Sequence, residues 1–342
     1  MKKILVFRLS AIGDIAMTVP VIWSLSEAYP DAEITFVSQK IASNFLQYLP
    51  RVTFVEAELK GRHKGLWGIF RLYLDLRKRG HFDVVADLHD VIRTKLIRFF
   101  YRFSASKIVV IDKGRKDKRA LCSIKNKKLK PLETTSSRYV HTLQRAGFNF
   151  DINFQSLFVK SELSDSILQV TGTPGKSWIG IAPFAKHKGK IYPLVLMEEV
   201  LQNLCQIPDV QIFLFGGGAN EVAILEGWSK RFPNTISLAG KLKMDEELRV
   251  IAHLKVLLTM DSANMHFASL VNTPVVSIWG ATHPYAGFYG LNQDINRAIQ
   301  IDLPCRPCSI FGNKACFRKD YACMYQIKPE TISSKIISEA LL

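Results

Sequence analysis

The chain has 342 residues, 48% of them hydrophobic and 22% charged, which excludes extended disorder and is typical of a protein with two folded domains. It has no apolar run of about 18 residues, so a membrane-spanning helix is not expected. The apolar start is interrupted by Arg8 and Asp14 and lacks a small-residue cleavage site, which argues against a signal peptide and favours a cytoplasmic location.

The net charge of +16 lies almost entirely in the first part of the chain. Residues 1–150 hold 28 Lys/Arg and 13 Asp/Glu, whereas residues 151–342 hold 18 and 17. The excess is densest over residues 93–130, which hold 14 basic and 2 acidic residues. This stretch fits a solvated surface, or one that meets an anionic membrane or substrate. Nucleic acid is less favoured, because interleaved aromatic residues are few and no nucleic-acid-binding motif is present.

Short apolar runs alternate with helical patterns along the first half of the chain, which predicts a parallel sheet. Strands are predicted at residues 4–9, 33–38, 52–56, 83–88 and 107–111. Helices are predicted at residues 15–29, 66–79 and 137–147.

A second alternating series follows a loose stretch with glycines and a proline, residues 161–177, which predicts a linker. Its strands are predicted at residues 178–182, 210–215, 235–238, 256–259 and 274–279. Its helices are predicted at residues 194–205, 219–231 and 245–254 and from residue 263. We therefore expect an α/β protein with two doubly wound domains, residues 1–160 and 178–325, facing a cleft, and a terminal helix over residues 326–342.

Loops at the carboxyl ends of parallel strands are candidate sites, because ligands of open α/β sheets bind there. The first strand is followed by R-L-S-A-I-G-D, residues 8–14, in which Gly13 permits a tight turn. Asp14 stands where a helix begins, and its carboxylate is expected either to cap that helix or to act as a general base. The glycine fingerprint of dinucleotide-binding sites is absent here, which counts against an NAD site.

The later strands are followed by three more polar loops. The lysines of residues 186–190 suit phosphates, or an ordinary exposed basic loop. Glycines of residues 216–218 allow close approach of a ligand, and Glu221 could accept hydrogen bonds from ribose hydroxyls. Residues 261–266 open a helix whose N–H groups suit a diphosphate. His266 by itself fits a buried, hydrogen-bonded histidine equally well.

These loops together resemble the heptosyltransferase family, glycosyltransferase family 9, in order and spacing over roughly residues 1–290. The matching motifs are R-L-S-A-I-G-D at 8–14, K-x-Y-P at 190–193, G-G-G-x-x-E at 216–221, D-S-A-N-M-H at 261–266 and G-A-T-H-P at 280–284. The resemblance implies the GT-B fold, two Rossmann-like domains that face a central cleft. It also implies an inverting enzyme that needs no metal and moves heptose from ADP-heptose to the inner core of lipopolysaccharide.

The resemblance assigns roles residue by residue. Asp14 would be the catalytic base, with Ser10 and Gly13 on the acceptor side. Lys190 would contact the donor diphosphate and Glu221 the ribose. The other donor-binding residues would be Met244 at the adenine and the phosphate-cradling segment Asp261, Ser262, Ala263, Asn264 and His266. Ala263 replaces a glycine that is usual in the family, and alanine would narrow the site if this residue had a positive φ or touched the sugar.

Four late cysteines lie beyond these motifs: Cys305, Cys308, Cys316 and Cys323, with the spacing C-x2-C-x7-C-x6-C. The first pair has the spacing of a zinc site, and the set could enclose one structural ion. Reduced buried thiols and disulfides are the alternatives, the latter disfavoured in a reducing cytosol. In either case the cysteines are not expected to take part in catalysis.

The sequence therefore predicts an inverting, metal-independent glycosyltransferase whose co-substrate is a nucleotide sugar, ADP-heptose. Its acceptor is expected to be an anionic, lipid-linked saccharide of the envelope, reached from the cytoplasmic face of the inner membrane as a peripheral protein. The basic residues 93–130 would dock there, and no nucleic acid would bind. Two rivals stay open: a nucleotide-binding scaffold that has lost catalysis, which the presence of Asp14 and Lys190 disfavours, and a basic nucleic-acid-binding protein.

Overall fold

The computed structural model describes residues 2–340, and the chain divides into two compact units. Unit 1 comprises Met1–Gly114 and Glu133–Leu157, and unit 2 comprises Arg115–Leu132 and Phe158–Leu342. This division differs from the predicted boundaries because residues 115–132 group with unit 2. No helix of the described residues is both long and apolar enough to cross a bilayer.

Unit 1 is built on a five-stranded parallel sheet with the order β3-β2-β1-β4-β5. Its strands are β1 Lys3–Phe7, β2 Glu33–Ser38, β3 Val52–Glu56, β4 Val84–Asp87 and β5 Lys107–Val110. Its helices are α1 Ile12–Ala28, α2 Ser43–Leu46, α3 Gly65–Arg77, α4 Ile92–Tyr101 and α6 Thr135–Arg145, while α5 Arg115–Leu121 belongs to unit 2. All five predicted strands and all three predicted helices are present. The three central strands β2, β1 and β4 are largely buried, as expected for a parallel sheet covered on both faces, whereas the edge strands β3 and β5 are partly exposed.

Unit 2 is built on a six-stranded parallel sheet with the order β11-β10-β9-β6-β7-β8. Its strands are β6 Ser177–Ala182, β7 Val210–Leu214, β8 Thr235–Ser237, β9 Val256–Met260, β10 Val275–Trp279 and β11 Ala298–Gln300. Its further helices are α7 Asp165–Thr171, α8 Leu194–Cys205, α9 Ala219–Arg231, α10 Met244–His253, α11 Ala263–Leu270, α12 Ala322–Tyr325 and α13 Pro329–Ala340. Every predicted strand and helix of this series is present, and α7 lies inside the predicted linker. Residues 341–342 of the predicted terminal helix lie outside the described residues.

Residues 115–132 join unit 2 through direct contacts. The Leu132 N–H donates to the Tyr285 carbonyl at 2.9 Å. Lys127 Nζ donates to the carbonyls of residues 305, 306 and 307 at 3.3, 2.9 and 2.9 Å. Lys118 Nζ lies 4.4 Å from the centre of the Phe288 ring. The basic stretch 93–130 is therefore divided between the two units instead of belonging to one domain.

Candidate active site

In unit 1, Asp14 is held at the carboxyl end of β1 by a buried arginine. Asp14 is the third residue of α1, and its Oδ2 lies 2.7 Å from Nη2 of Arg8. Arg8 is only 7% exposed, and its Nη1 donates to the Leu88 carbonyl at 2.9 Å. The Asp14 carboxylate also accepts the Ala11 N–H at 3.3 Å. Asp14 thus caps the first turn of α1 while its side chain remains 27% exposed, so both predicted roles are compatible with its position.

The loop between β1 and α1 turns earlier than predicted. Gly13 lies within the first turn of α1, and it is not among the glycines with positive φ. The prediction that Gly13 makes a tight turn is therefore wrong, because the chain changes direction over residues 8–11. Ser10 is half-buried in that turn.

A neutral histidine from the end of β4 lies beside this pair. His89 is 8% exposed, and its Nδ1 accepts the Leu9 N–H at 3.3 Å. Burial lowers the pKa of His89 to about 3, and the positive charges of Arg8 and Lys113 lower it further, while Asp14 opposes them. A neutral imidazole that accepts at Nδ1 carries its proton on Nε2. His89 is therefore a hydrogen-bond donor next to Asp14 at neutral pH.

Two carboxylates of the same loop bind an arginine from α4. Asp87 is fully buried, and its Oδ1 accepts the N–H groups of His89 and Asp90 at 2.9 and 2.8 Å. Its Oδ2 lies 3.2 Å from Nε of Arg98, whose Nη2 lies 3.0 Å from Asp90. The two Asp side chains thus fix the loop and α4.

In unit 2, the predicted donor-side residues Lys190 and Asp261 form an ion pair. Lys190 follows β6 and Asp261 follows the adjacent strand β9, so the parallel sheet brings both to the same edge. Lys190 Nζ lies 2.9 Å from Asp261 Oδ2, and the two side chains are 16% and 6% exposed. The pair therefore presents a positive ammonium at the sheet edge while Asp261 fixes its position.

Close packing of loops holds Lys190 in place. Gly189 has no room for a side chain, since a Cβ there would lie 2.8 Å from the Ala281 Cβ, and its carbonyl accepts the Ala281 N–H at 2.9 Å. Gly312 has a φ of +72° and packs against the aliphatic stem of Lys190. The loops after β6 and β10 therefore form one rigid wall.

The third predicted donor residue, Glu221, lies in the first turn of α9. Its Oε2 accepts the Gly217 N–H at 2.9 Å, which fixes the glycine loop after β7. Gly218 has a φ of +85°, a conformation that explains a glycine at the N-cap of α9. Glu221 thus shapes this loop, which follows the strand next to β6 in the sheet.

The phosphate-cradling segment opens α11. Ser262 is the extended N-cap, and its Oγ lies 3.0 Å from Thr259 Oγ1. Ala263 is the first helical residue and does not have a positive φ, so the replacement of glycine causes no backbone strain. The first N–H groups of a helix have no partner within it, so those of residues 263–265 suit an anion. His266 is 7% exposed and has an interaction partner, so its position fits a buried histidine.

Met244, the predicted adenine contact, is the first residue of α10 and is half-buried. One turn later, burial raises the pKa of Glu247 to about 7. Sequence patterns gave no sign of this carboxylate, because its shift arises from its surroundings and not from its neighbours along the chain.

The chain is similar to one family of known proteins. The family model of glycosyltransferase family 9 (heptosyltransferase) matches residues 69–314, well over half of the chain. The chain belongs to glycosyltransferase family 9. Lipopolysaccharide heptosyltransferase 1 of Campylobacter coli is 24% identical, over 98% of this chain and 98% of that protein.

Two solved structures show the same fold. A family 9 glycosyltransferase from Veillonella parvula superposes with a TM-score of 0.76 and 18% identity, over 99% of this chain and 97% of that one. The ADP-heptose lipopolysaccharide heptosyltransferase II of E. coli superposes with a TM-score of 0.70 and 19% identity, over 100% and 99%. The predicted GT-B fold is thereby confirmed.

The late cysteines of this family 9 glycosyltransferase line one small cavity. Cys305, Cys308, Cys316 and Cys323 all contribute to its wall, and the cysteines are free thiols. Burial raises the pKa of Cys323 to about 11, and it raises that of Cys308 as well. Within residues 2–340, no three Cys, His, Asp or Glu side chains form a group arranged to hold a metal ion.

The structure thus brings together Lys190 and Asp261 in unit 2, and Arg8, Asp14 and His89 in unit 1. Sequence reasoning missed Arg8 and His89 as partners of Asp14. Their positions could have indicated this, because Arg8 directly follows β1, His89 closely follows β4, and the two strands are adjacent in the sheet.

Proposed function

We propose that this glycosyltransferase moves heptose from ADP-heptose to the core of lipopolysaccharide, with inversion at the anomeric carbon. The observation that carries the proposal is the buried Lys190–Asp261 pair beside the first turn of α11, which makes a pre-formed site for a diphosphate. The names of the relatives supply the sugar and the acceptor, since the E. coli protein is described as an ADP-heptose heptosyltransferase.

On the donor side, Lys190 and the N–H groups at the start of α11 stabilise the negative charge that develops on the departing diphosphate. These donors are fixed before the reaction begins, so they need little reorganisation. Glu221 accepts hydrogen bonds from the ribose and Met244 lies by the adenine. As proposed, the chemical step uses no metal, so we expect added Mg²⁺ or Mn²⁺ to leave the rate unchanged.

On the acceptor side, Asp14 removes the proton from the attacking hydroxyl. Arg8 holds the carboxylate at 2.7 Å, which fixes the oxygen that receives the proton. His89 donates from Nε2 and orients the acceptor, with Ser10 in the adjoining turn and Gly13 in the first turn of α1. In this step the hydroxyl oxygen bonds to the anomeric carbon and the bond from that carbon to the diphosphate oxygen breaks. The diphosphate leaves with the bonding electron pair, and Asp14 carries the proton.

The proposed acceptor is an anionic, lipid-linked saccharide, and the proposed place of action is the cytoplasmic face of the inner membrane, with the protein bound peripherally. The large excess of Lys and Arg in the first 150 residues supports an anionic partner.

A donor panel tests the proposal. Calorimetry with ADP-heptose, ADP, UDP and GDP is expected to show binding of the two adenine nucleotides at least about tenfold tighter than that of the others. Lys190→Met should weaken ADP binding by about tenfold or more, because a phosphate-facing charge is lost. Lys188→Met is the matched control, since Lys188 is an exposed lysine of the same short turn. Equal affinity for all nucleotides, or equal effects of the two variants, would remove the donor assignment.

The proposal includes one structural zinc ion at the four late cysteines. Support comes from the charges beside them: Lys127 and the buried Arg306 hydrogen-bond to carbonyl groups, and neither has a carboxylate within ion-pair distance among residues 2–340. A zinc ion bound by four thiolates is net negative and would offset these two charges. Binding requires the thiols to turn into the cavity. Elemental analysis of dialysed protein should find about one zinc per chain, and its absence would leave four free thiols.

A further inference from the structure

Two neighbouring helices of unit 1 expose large apolar side chains to solvent. On α3 these are Leu66, Trp67 and Leu74, and Trp67 is 79% exposed. On and directly after α4 they are Ile92, Phe99 and Phe103, of which Ile92 is 77% and Phe103 80% exposed. Scattered single apolar residues are ordinary at protein surfaces, whereas a group on two packed helices requires an explanation.

The exposed side chains form one continuous strip. Aromatic rings connect the two helices, with centroid distances of 6.4 Å from Trp67 to Phe70 and 5.2 Å from Phe70 to Phe100. From Phe100 the strip continues to Phe99 at 5.9 Å, and from Phe99 to Phe103 at 5.5 Å. We call this strip, together with Leu66, Leu74 and Ile92, the α3–α4 surface.

Phe70 and Phe100 connect the strip to the core of unit 1, whereas its exposed side chains are not needed by the fold. The opposite sides of the same helices supply the core with Ile69, Leu72, Leu76, Ile97 and Tyr101, all at most 2% exposed. The residues of the α3–α4 surface therefore remain exposed although each would gain free energy from burial, which is the pattern of a surface that has a partner.

Positive charges flank the strip. Lys64, Arg71, Arg93 and Arg102 lie on or directly beside α3 and α4, are exposed, and form no ion pair among the described residues. The one acidic residue of the two helices, Asp75, is already bound by Arg62 and Lys78. The rim of the α3–α4 surface is therefore cationic with no exposed carboxylate of its own.

We propose that the α3–α4 surface docks unit 1 on an anionic lipid bilayer. Trp and Phe side chains of an amphipathic surface enter the boundary between headgroups and acyl chains, and Lys and Arg beside them bind lipid phosphates. A second copy of this chain is disfavoured as the occupant, because like charges would face each other. The inference deepens the proposed function, since a lipid-linked acceptor lies in such a bilayer, and it moves the docking surface from the basic stretch 93–130 to two helices with an apolar anchor.

Co-sedimentation of the full-length protein with vesicles tests the proposal. Vesicles of phosphatidylglycerol and phosphatidylcholine should bind the protein at low salt, and pure phosphatidylcholine vesicles should bind it at least tenfold more weakly. Trp67→Ser combined with Phe103→Ser should lower the partition coefficient at least tenfold. The matched control replaces two exposed aliphatic residues of unit 2, Ile124→Ser with Val159→Ser, and should change it less than twofold.

Charge reversal tests the rim separately. Changing Arg71, Arg93 and Arg102 to Glu should abolish binding to anionic vesicles. The same reversal at Lys125, Lys128 and Lys130, which are exposed in unit 2, alters the net charge equally and should change binding only slightly. Equal losses for the two triple variants would show a general charge effect and overturn the proposal.

Fluorescence gives a direct readout of Trp67. Adding anionic vesicles should shift the protein's emission to shorter wavelength, and the shift should largely disappear in Trp67→Phe, which keeps an aromatic ring. An unchanged emission or an absence of vesicle binding at low salt would contradict the proposal and leave a protein partner as the remaining occupant. Calorimetry with ADP-heptose separates the two hypotheses: the surface variants should bind it as the wild type does, and loss of vesicle binding alone leaves the proposed function intact.

Discussion

At the scale of single residues, the partners of Asp14 and Lys190 are set by strand pairing. Asp14 is recognisable from its motif, but Arg8 and His89 become its neighbours only because β1 and β4 pair. Lys190 and Asp261 are separated by some 70 residues and meet because β6 and β9 pair. A motif gives the residue type, whereas the electrostatic environment depends on the sheet order.

The role of Asp14 is tested by Asp14→Asn. We expect heptosyl transfer to slow by roughly 10²–10⁴-fold, because an amide cannot accept the proton of the acceptor hydroxyl. ADP-heptose affinity should be nearly unchanged, since the donor residues lie in unit 2. Steady-state kinetics and calorimetry measure the two effects.

The control for this variant is Glu27→Gln on the same helix. Glu27 forms an exposed ion pair with Arg51 at 3.1 Å near the other end of α1, so its loss should leave transfer unchanged. Wild-type turnover in Asp14→Asn would exclude Asp14 as the base.

Glu246 and Glu247 are adjacent, and they are predicted to change the free energy of unfolding with pH in opposite directions. Burial raises the pKa of Glu247 to about 7, so folding favours its protonated form. Its contribution to the free energy of unfolding is therefore present at low pH and is lost as the pH rises through 7. Above that pH, Glu247→Gln should be more stable than the wild type by roughly 1–3 kcal/mol.

The pKa of Glu246 is lowered by the Lys243 N–H, which donates to its carboxylate at 2.8 Å. Its contribution is present above its ordinary pKa and is lost as the pH falls, so Glu246→Gln should be less stable than the wild type at pH 7, with the difference fading in acid. Denaturant unfolding at a series of pH values measures both variants. Parallel pH profiles for the two would refute the assignment.

At the scale of elements, apolar runs and helical periodicity were sufficient to predict ten of the eleven strands, since buried parallel strands are nearly continuous in Val, Ile and Leu. The missed strand, β11, has three residues at the sheet edge and is too short to leave a pattern. Helix α4 was not predicted because basic residues interrupt its apolar pattern. Ile92, Leu96, Phe99 and Phe103 nevertheless recur at helical spacing. Helix α7 was assigned to a linker because Gly172, Pro174 and Gly175 directly follow it.

The loop that supports Lys190 yields a prediction at this scale. Gly312→Ala places a Cβ against the Lys190 stem at a residue with a φ of +72°. Gly172→Ala introduces the same backbone strain, at +74°, where the space is open. Both should lose about 1 kcal/mol of stability, but only Gly312→Ala should weaken ADP binding, by about tenfold.

Calorimetry with ADP and thermal unfolding of both variants decide this point. If both glycine variants bind ADP as the wild type does, the packing of Gly312 against the Lys190 stem does not position Lys190.

At the scale of the whole molecule, the sequence was sufficient to predict two parallel α/β sheets. It did not predict which unit each segment of the chain belongs to. Residues 115–132 leave unit 1 and pack on unit 2 before the chain returns at Glu133. No local pattern predicts this crossing, because it depends on distant contacts such as that of Lys127 with residues 305–307. The same crossing divides the basic stretch 93–130 between the two units.

The measurement that tests the central claim most directly is transfer itself. Purified protein is incubated with ADP-heptose and a heptose-deficient lipopolysaccharide core, with UDP-glucose as the comparison donor and Asp14→Asn as the inactive control. We predict that the acceptor gains the mass of one heptosyl residue, that the new linkage has the anomeric configuration opposite to that of the donor, and that adding Mg²⁺ or Mn²⁺ does not speed the reaction. An acceptor that gains no heptose while ADP-heptose is bound, or that gains a hexose from UDP-glucose instead, would contradict it.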